Sequence, residues 1–192
     1  MTQIVLIRHG ITDWNTERRA QGQSDIPLNE EGRQQARALA SRLKSEKWDL
    51  IFSSDLSRAK ETADILAKTL GLDVQTDHRL REMHKGETEG TTLEERINRW
   101  GSKWESLSLG IEDDKSITRR GTSFLSEIMK TYKGKRILVV SHGALIGNTI
   151  KGLIPSTNID VFFHNTSMTT INYNGSDWNC ELFNCAKHLS SE

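Results

Sequence analysis

The stretch LIRHGITDWN occupies residues 6–15 and continues an apolar run that begins almost at the first residue. Residues 3–7 are short, apolar and rich in β-branched side chains, which predicts a buried strand. Arg8, His9 and Gly10 follow at once, although a core strand has no need of a charge at its end. In open α/β sheets, ligands bind beyond the carboxyl ends of the strands. The stretch therefore predicts a binding or reaction site at this edge of a sheet.

Helix and strand patterns alternate along the rest of the chain. Asn29 is a typical N-cap for a helix whose residues 36, 39, 40 and 43 form one apolar face. The same kind of pattern predicts strands at residues 50–53 and 136–140 and a hairpin of residues 168–173 and 178–183. Helices are predicted from about residue 56 to Gly71, from Thr92 onward, at 122–132 and at 144–153, with a loop at 106–116. The helix from Thr92 is expected to carry Ile97, Trp100 and Trp104 on one side. This order predicts an α/β fold, a three-layer α/β/α sandwich with a largely parallel central sheet.

Size and charge exclude several classes of protein. The 192 residues suit one domain, and 26 basic side chains balance 26 acidic ones, which argues against a partner that is nucleic acid or a membrane surface. No stretch is long enough for a transmembrane helix, and the apolar residues 4–7 are too few for a signal peptide. Cys180 and Cys185 fit neither a zinc site nor a CxxC motif, so we expect free thiols and a cytoplasmic location.

Reactive side chains follow three of the predicted strands. His9 follows the first strand, Arg58 opens the helix after the second, and His142 follows the strand at residues 136–140. Because parallel strands end at one edge of a sheet, these groups are expected to converge. Each histidine precedes a glycine, Gly10 or Gly143, which permits close approach of a ligand to the backbone. Taken singly, each residue also fits a structural histidine or a solvated arginine.

Together these residues resemble the histidine phosphatase superfamily, which includes the cofactor-dependent phosphoglycerate mutases and broad phosphatases. LIRHGITDWN is similar to the family's Arg-His-Gly hallmark with its following Thr-x-x-Asn, and SSDLSRAKETA carries the second arginine, Arg58. LREMHKGETEG resembles the acid loop with its carboxylate at Glu82, and VVSHG supplies His142. The resemblance implies a phosphoglycerate mutase-like fold and a single histidine phosphatase domain over residues 1–192.

The resemblance also implies a division of catalytic roles. His9 is the expected nucleophile, neutral and held in one tautomer by a hydrogen bond to a nearby backbone carbonyl. Arg8, Arg58 and His142 are expected to hold the phosphoryl oxygens, because a phosphate group carries about −1.5 to −2 charge near neutral pH. Glu82 is expected to protonate the leaving oxygen and then to activate water. No metal and no cofactor are implied.

Five further residues are expected to bind substrate or phosphate. The family pattern places Asn15 and the backbone near Gln21 and Gly22 at the phosphate, and Gly143 beside it. Lys60 lies one turn along the helix from Arg58 and borders the expected pocket, with a solvated helix lysine as the alternative interpretation.

The sequence favours a phosphatase over a mutase. The acid loop at residues 82–86 reads Glu-Met-His-Lys-Gly where the mutases have Glu-x-x-Tyr-Gly, and the insert between residues 90 and 141 is brief. A mutase must exclude water from its intermediate, which little inserted chain can do. We therefore predict a metal-independent phosphomonoester hydrolase that forms a phosphohistidine, acts on a small phosphorylated metabolite and releases inorganic phosphate. Lys85 and Thr88 depart from the family pattern and leave the substrate open.

Three alternatives accompany this prediction. A phosphoglycerate mutase and a catalytically silent phosphate-binding protein would use the same pocket. A serine hydrolase built on Ser141 and His142 is disfavoured, because the chain lacks a Gly-x-Ser-x-Gly motif and neighbouring strand side chains point apart. The oligomeric state is left open by the sequence.

Overall fold

A computed structural model describes residues 2–156 and 161–189. Its central sheet has six strands, β1 (Thr2–Arg8), β2 (Leu50–Ser53), β3 (Val74–Thr76), β4 (Arg136–Ser141), β5 (Met168–Tyr173) and β6 (Trp178–Cys185). The strand order is β3-β2-β4-β1-β5-β6. The first four pair in parallel, whereas β5 runs antiparallel to β1 and β6 antiparallel to β5. The largely parallel sheet predicted from the sequence is confirmed, with an antiparallel hairpin at one side.

The α-helices are α1 (Asp13–Thr16), α2 (Glu30–Leu43), α3 (Ser57–Leu70), α4 (Leu93–Trp100), α5 (Asp114–Thr131) and α6 (Gly143–Leu153). Successive side chains of a strand point to opposite faces of the sheet. Ile4 and Leu6 of β1 accordingly pack in one core with α5 and α6, while Val5 and Ile7 pack in another with α2 and α3. The three-layer α/β/α sandwich is thereby confirmed. No helix in the described ranges is long and apolar enough to cross a membrane.

Local signals in the sequence account well for the ends of three helices. The Asn29 side chain accepts a hydrogen bond from Gly32 N at 2.9 Å and caps α2 as predicted. Gly71 ends α3 in the left-handed conformation, with φ of 69°. Thr92, where a helix was predicted to begin, forms a reciprocal capping box with Glu95 at the start of α4. Cys180 and Cys185 are free thiols, as expected.

Two predictions between β3 and β4 were wrong. Helix α5 begins at Asp114, within the predicted loop, because the Asp113 side chain caps it through Ser116 N at 2.9 Å and the polar first turns hide the helical period. Helix α4 ends at Trp100, so Trp104 lies in a separate 3₁₀ turn (Trp104–Ser106) rather than on the same helix face. The sequence also gave no sign of β3, a three-residue edge strand without a buried side chain.

Candidate active site

The carboxyl ends of β1 and β4 bring two histidines together. The strands are neighbours, with Arg8 paired to Ser141, and His9 N donates to the Ser141 carbonyl at 2.9 Å. His9 and His142, the residues that follow these two strands, therefore lie side by side. The imidazole ring centres of His9 and His142 lie 5.1 Å apart, with 58° between their planes. Both rings are buried, with 2% and 0% of the residue surface exposed.

The His9 ring has one nitrogen engaged by the backbone. Its Nδ1 lies 2.6 Å from the carbonyl oxygen of Gly10, which assigns the proton to Nδ1 and leaves the lone pair on Nε2. The pKa of His9 lies well below its usual range, chiefly because of burial and further because of the charges of Arg58 and Arg8. The imidazole is therefore neutral at ordinary pH, with a free basic nitrogen.

Arg58 is fully buried in the first turn of α3. Its guanidinium donates to the carbonyls of Gly22 at 2.7 Å and Ser24 at 2.9 Å, which ties the loop after α1 to the site. Burial lowers its pKa below the usual value, an effect that the nearby carboxylate of Glu82 opposes.

Arg8 ends β1 with its side chain beneath the segment that precedes β5. The guanidinium donates to the Phe163 carbonyl and lies 4.5 Å from the ring centre of Phe162. Burial is the main cause that lowers its pKa to about 10, with Glu82 opposing and Arg58 adding to the shift. Arg8 thus remains a cation at neutral pH.

Several buried polar atoms at this edge have no hydrogen-bond partner among the described residues. They are both ring nitrogens of His142 and the Nε atoms of Arg8 and Arg58. Buried polar atoms are paired in the great majority of cases, and an unpaired one costs about 1–3 kcal/mol. The pKa of His142 is well below its usual range, first through burial and then through Arg58, His9 and Arg8. A cluster of unpaired donors with two guanidinium charges fits an oxyanion such as phosphate.

Glu82 faces the same space from the loop that follows β3. Its carboxylate accepts hydrogen bonds from Met83 N at 2.8 Å, Leu145 N at 3.1 Å and Ala144 N at 3.3 Å. The last two belong to the first turn of α6, where backbone N–H groups favour a negative charge. Glu82, Arg8 and Gly143 line one pocket of about 440 Å³ that extends along α6. Glu82 thus shares a pocket with Arg8, and its charge acts on both Arg8 and Arg58.

The residues expected to bind substrate are only partly gathered there. Asn15 closes a capping box with Thr12, and Gln21 accepts from the Thr12 hydroxyl at 2.9 Å, so both shape the loop beside the site. The Gly22 carbonyl holds Arg58. Lys60 is not gathered: its ammonium pairs with Asp64 at 2.7 Å on the exposed side of α3, as the alternative interpretation has it.

The two glycines that follow the histidines differ in role. A Cβ atom on Gly10 would lie 2.5 Å from the carbonyl oxygen of Gly32, so Gly10 allows α2 to approach β1 rather than a ligand to approach the backbone. This corrects the expectation for Gly10. A Cβ on Gly143 would meet no atom nearer than Arg8 Nε at 3.7 Å, and Gly143 lines the pocket.

Sequence reasoning missed the segment of residues 161–167. Thr166 N donates to the carbonyls of Arg8 at 3.0 Å and His9 at 3.2 Å, and Asn165 Nδ2 donates to the His9 carbonyl at 3.0 Å. The usable signal was the predicted hairpin: since β5 pairs antiparallel with β1, the residues before β5 must lie at the end of β1 that bears His9.

Ser141, which precedes His142, has a structural role. The hydroxyl of Ser141 is buried and donates to the Leu80 carbonyl at 2.7 Å, while neither nitrogen of His142 has a partner among the described residues. A serine hydrolase needs a hydrogen bond between nucleophile and base. The geometry therefore gives that alternative no support.

Comparison with known proteins is consistent with this geometry. The profile of the histidine phosphatase superfamily (branch 1) matches residues 4–186. The chain is similar to phosphoglycerate mutase-like protein 4 of Arabidopsis thaliana, at 37% identity over 97% of this chain and 86% of the relative. It is also similar to an uncharacterized phosphatase, PhoE, of Bacillus subtilis (strain 168), at 34% identity over 99% and 98% of the two chains. Among solved structures, phosphoserine phosphatase from Entamoeba histolytica, in complex with 3-phosphoglyceric acid, matches with a TM-score of 0.84, at 32% identity over 99% of this chain and 100% of that one.

Proposed function

The chain belongs to the histidine phosphatase superfamily and is a phosphatase of that family, and from this premise we propose that it hydrolyses a small phosphorylated metabolite through a phosphohistidine intermediate. The observation that carries the proposal is the state of His9: a buried neutral imidazole, with its proton on the side of Gly10 O, that feels the charges of two buried guanidinium groups, those of Arg58 and Arg8. A neutral nitrogen beside two cations is suited to attack a phosphoryl group.

Binding of the phosphoryl group falls to Arg8, Arg58 and His142. Their unpaired nitrogens supply donors, and the two guanidinium charges compensate the negative charge of about −1.5 to −2 on a phosphate near neutral pH. In a partly dry site a unit charge pair about 4 Å apart contributes on the order of 4 kcal/mol before desolvation, at an effective dielectric constant near 20. Only the share of this attraction that grows in the transition state speeds the reaction.

The first chemical step breaks the P–O bond of the ester. Nε2 of His9 uses its lone pair to form a bond to phosphorus, and the electrons of the P–O bond pass to the leaving oxygen. Glu82 gives a proton to this oxygen, and the alcohol departs. The product on the enzyme is phosphohistidine.

The second step releases inorganic phosphate. Glu82, now a carboxylate, takes a proton from a water molecule as the water oxygen bonds to phosphorus. The N–P bond breaks, its electrons return to Nε2 of His9, and phosphate leaves. The arginines hold the same three oxygens through both steps.

The pocket and the relatives support the proposed substrate class. The space beside Glu82 holds about 440 Å³, enough for a small leaving group. The Entamoeba phosphatase carries 3-phosphoglyceric acid in its complex, which favours small phosphorylated acids as candidates for this chain.

Hydrolysis of p-nitrophenyl phosphate in the presence of a chelator, across acidic to neutral pH, tests the proposal. We expect turnover by the unmodified protein, none above background by His9→Ala, and an acid-labile phosphoprotein when the reaction is quenched with base. His78→Ala, which changes an exposed histidine on the turn His78–Leu80, is the matched control and should keep full activity. Undiminished activity in His9→Ala would remove the phosphohistidine scheme, and faster isomerisation of 3-phosphoglycerate than phosphate release would favour the mutase.

A further inference from the structure

Arg120 lies on α5, directly behind the loop that carries Glu82. Its guanidinium donates to three backbone carbonyls of that loop, those of Arg79 at 2.8 Å, Arg81, and Glu82 at 2.9 Å. A single side chain thus satisfies three carbonyls in four consecutive residues. A five-donor planar fork can do this, and a lysine ammonium cannot match its geometry.

Glu112 completes the arrangement from the other side. Both of its carboxylate oxygens accept hydrogen bonds from Arg120 at 2.9 Å. Its backbone N–H donates to the His84 carbonyl at 2.9 Å, and its carboxylate accepts from His84 N at 3.2 Å. Burial is the largest single influence and raises the pKa of Glu112, but the hydrogen bond and charge of Arg120, together with the hydrogen bonds of His84 and Ser116, bring that pKa below its usual value. The pair therefore holds the chain on both sides of Glu82.

Hydrogen bonds fix both the backbone and the side chain of Glu82. Its carbonyl accepts from Arg120 and from Gln23 Nε2 at 3.1 Å, and its carboxylate rests on the first turn of α6. Arg120 itself is absent from the lining of the pocket beside Glu82, and its charge is matched by Glu112. Its direct hydrogen bond to the site is the one to Glu82, and its charge also helps to lower the pKa of His142.

Resting on the proposed role of Glu82 as proton donor, we propose that Arg120, held by Glu112, is a positioning residue that sets the distance from the Glu82 carboxyl to the leaving oxygen. A displacement of about 1 Å in a catalytic group can lower a rate about 10²-fold. Among the steps up to cleavage of the P–O bond, such a loss falls on the substrate whose leaving oxygen needs the proton.

Two substrates with different leaving groups separate this role from general support of the fold. Nitrophenolate leaves without protonation, whereas the alkoxide of 3-phosphoglycerate or glycerol phosphate requires it. For Arg120→Ala we expect kcat/KM on the alkyl phosphate to fall about 10²-fold and kcat/KM on p-nitrophenyl phosphate to change little, because kcat/KM does not include the later hydrolysis of phosphohistidine, in which Glu82 serves both substrates. Arg120→Lys should recover only a small part of the loss.

Arg79→Ala is the matched control. Arg79 also joins this region to α5, because its side chain pairs with Asp77 at 2.6 Å and with Glu127 of α5 at 2.7 Å. That side chain makes no hydrogen bond to the loop at residues 81–84. Its variant should lower kcat/KM on both substrates by the same small factor. Glu112→Gln keeps the shape of the partner and serves if Arg120→Ala does not fold, with urea unfolding recorded for every variant; it should show a weaker form of the same selectivity.

The outcomes separate the two proposals. Equal losses on both substrates in Arg120→Ala and Glu112→Gln would reduce the pair to a structural strut and overturn the inference. If Glu82→Gln in the otherwise unmodified chain shows no preference for the better leaving group, the assignment of Glu82 as proton donor fails instead.

Discussion

His9 and His142 face each other across 5.1 Å, yet only His9 has a hydrogen-bond partner for its ring among the described residues. The backbone fixes one imidazole, while the other presents two unpaired nitrogens to the same hollow. This asymmetry fits a nucleophile with an assigned tautomer and a second ring that keeps its hydrogen-bonding capacity for a ligand. It also means that the two histidines contribute to stability in opposite ways.

His142→Leu should inactivate the protein without destabilising it. The change removes a hydrogen-bond donor to the phosphoryl group, and the loss of such a donor lowers kcat about 10²–10³-fold. It also removes an unpaired buried group, which costs the folded state about 1–3 kcal/mol. Urea unfolding should give a free energy equal to or above that of the unmodified chain. His9→Leu, which breaks the bond to Gly10 O, is the comparison and should be less stable. Equal destabilisation of the two variants would contradict the asymmetry.

Acid should weaken the fold below about pH 6.5. The folded pKa values of His9 and His142 lie well below the reference value of 6.5, and that of His188 is lowered by burial, then by Arg42, to about 4. Below pH 6.5 the unfolded chain therefore binds protons that the folded chain refuses, and the free energy of unfolding falls. Each buried histidine that stays neutral adds a slope of about 1.4 kcal/mol per pH unit.

Urea unfolding at a series of pH values, in a buffer without phosphate, measures that slope. The free energy of unfolding should change little from these groups above pH 6.5 and decline steadily below it. His142→Leu should show a shallower decline, because the contribution of one buried histidine to the slope, about 1.4 kcal/mol per pH unit, is lost. A flat profile down to pH 5 would mean that the rings accept protons while folded.

Phe162→Ala should weaken phosphate binding although its side chain is 71% exposed. The ring lies over the Arg8 guanidinium at 4.5 Å, and an exposed cation–π contact is worth about 0.5–1 kcal/mol. We expect KM to rise about 2–5-fold with kcat nearly unchanged. Leu93→Ala removes an exposed apolar side chain from α4 and should leave KM unaltered. Identical KM values for the two variants would exclude a role for the ring.

Alanine at the two active-site glycines should have opposite effects on stability. Gly10→Ala places a methyl group 2.5 Å from Gly32 O, and such overpacking costs about 1–3 kcal/mol. Gly143→Ala meets no close atom and improves the helix propensity of α6 by up to about 1 kcal/mol. Its methyl group points toward Arg8, so KM should rise while the midpoint of thermal unfolding holds or increases. Loss of stability in both variants would contradict the contact distances.

Local signals made much of this molecule predictable. The apolar runs of β1 and β4, the cap at Asn29 and the stop at Gly71 are each readable within a few residues. The rule that strand ends meet at one edge then brings His9 and His142 together without knowledge of any contact. The polar first turns of α5 carried no such periodicity, and its cap at Asp113 went unnoticed.

The supporting parts of the site depend on long-range contacts that no local pattern encodes. Arg120 reads as an ordinary helix arginine until the fold sets it behind Glu82, thirty-eight positions earlier in the chain. Phe163 offers Arg8 only its carbonyl, which carries no side-chain signal at all. Lys60 shows the reverse error, since its spacing from Arg58 suggested the pocket but its ammonium pairs with Asp64.

The place of β1 in the sheet bears on how the chain is made. This strand is synthesised before the other five, but both of its neighbours, β4 and β5, come from the last third of the 192 residues. At about 5–20 residues per second, the nascent polypeptide carries its apolar N-terminal segment unpaired for on the order of ten seconds. Sheet assembly and the gathering of the reactive groups therefore wait until β4 and β5 have been synthesised, and the growing chain is open to chaperones and to aggregation throughout that interval.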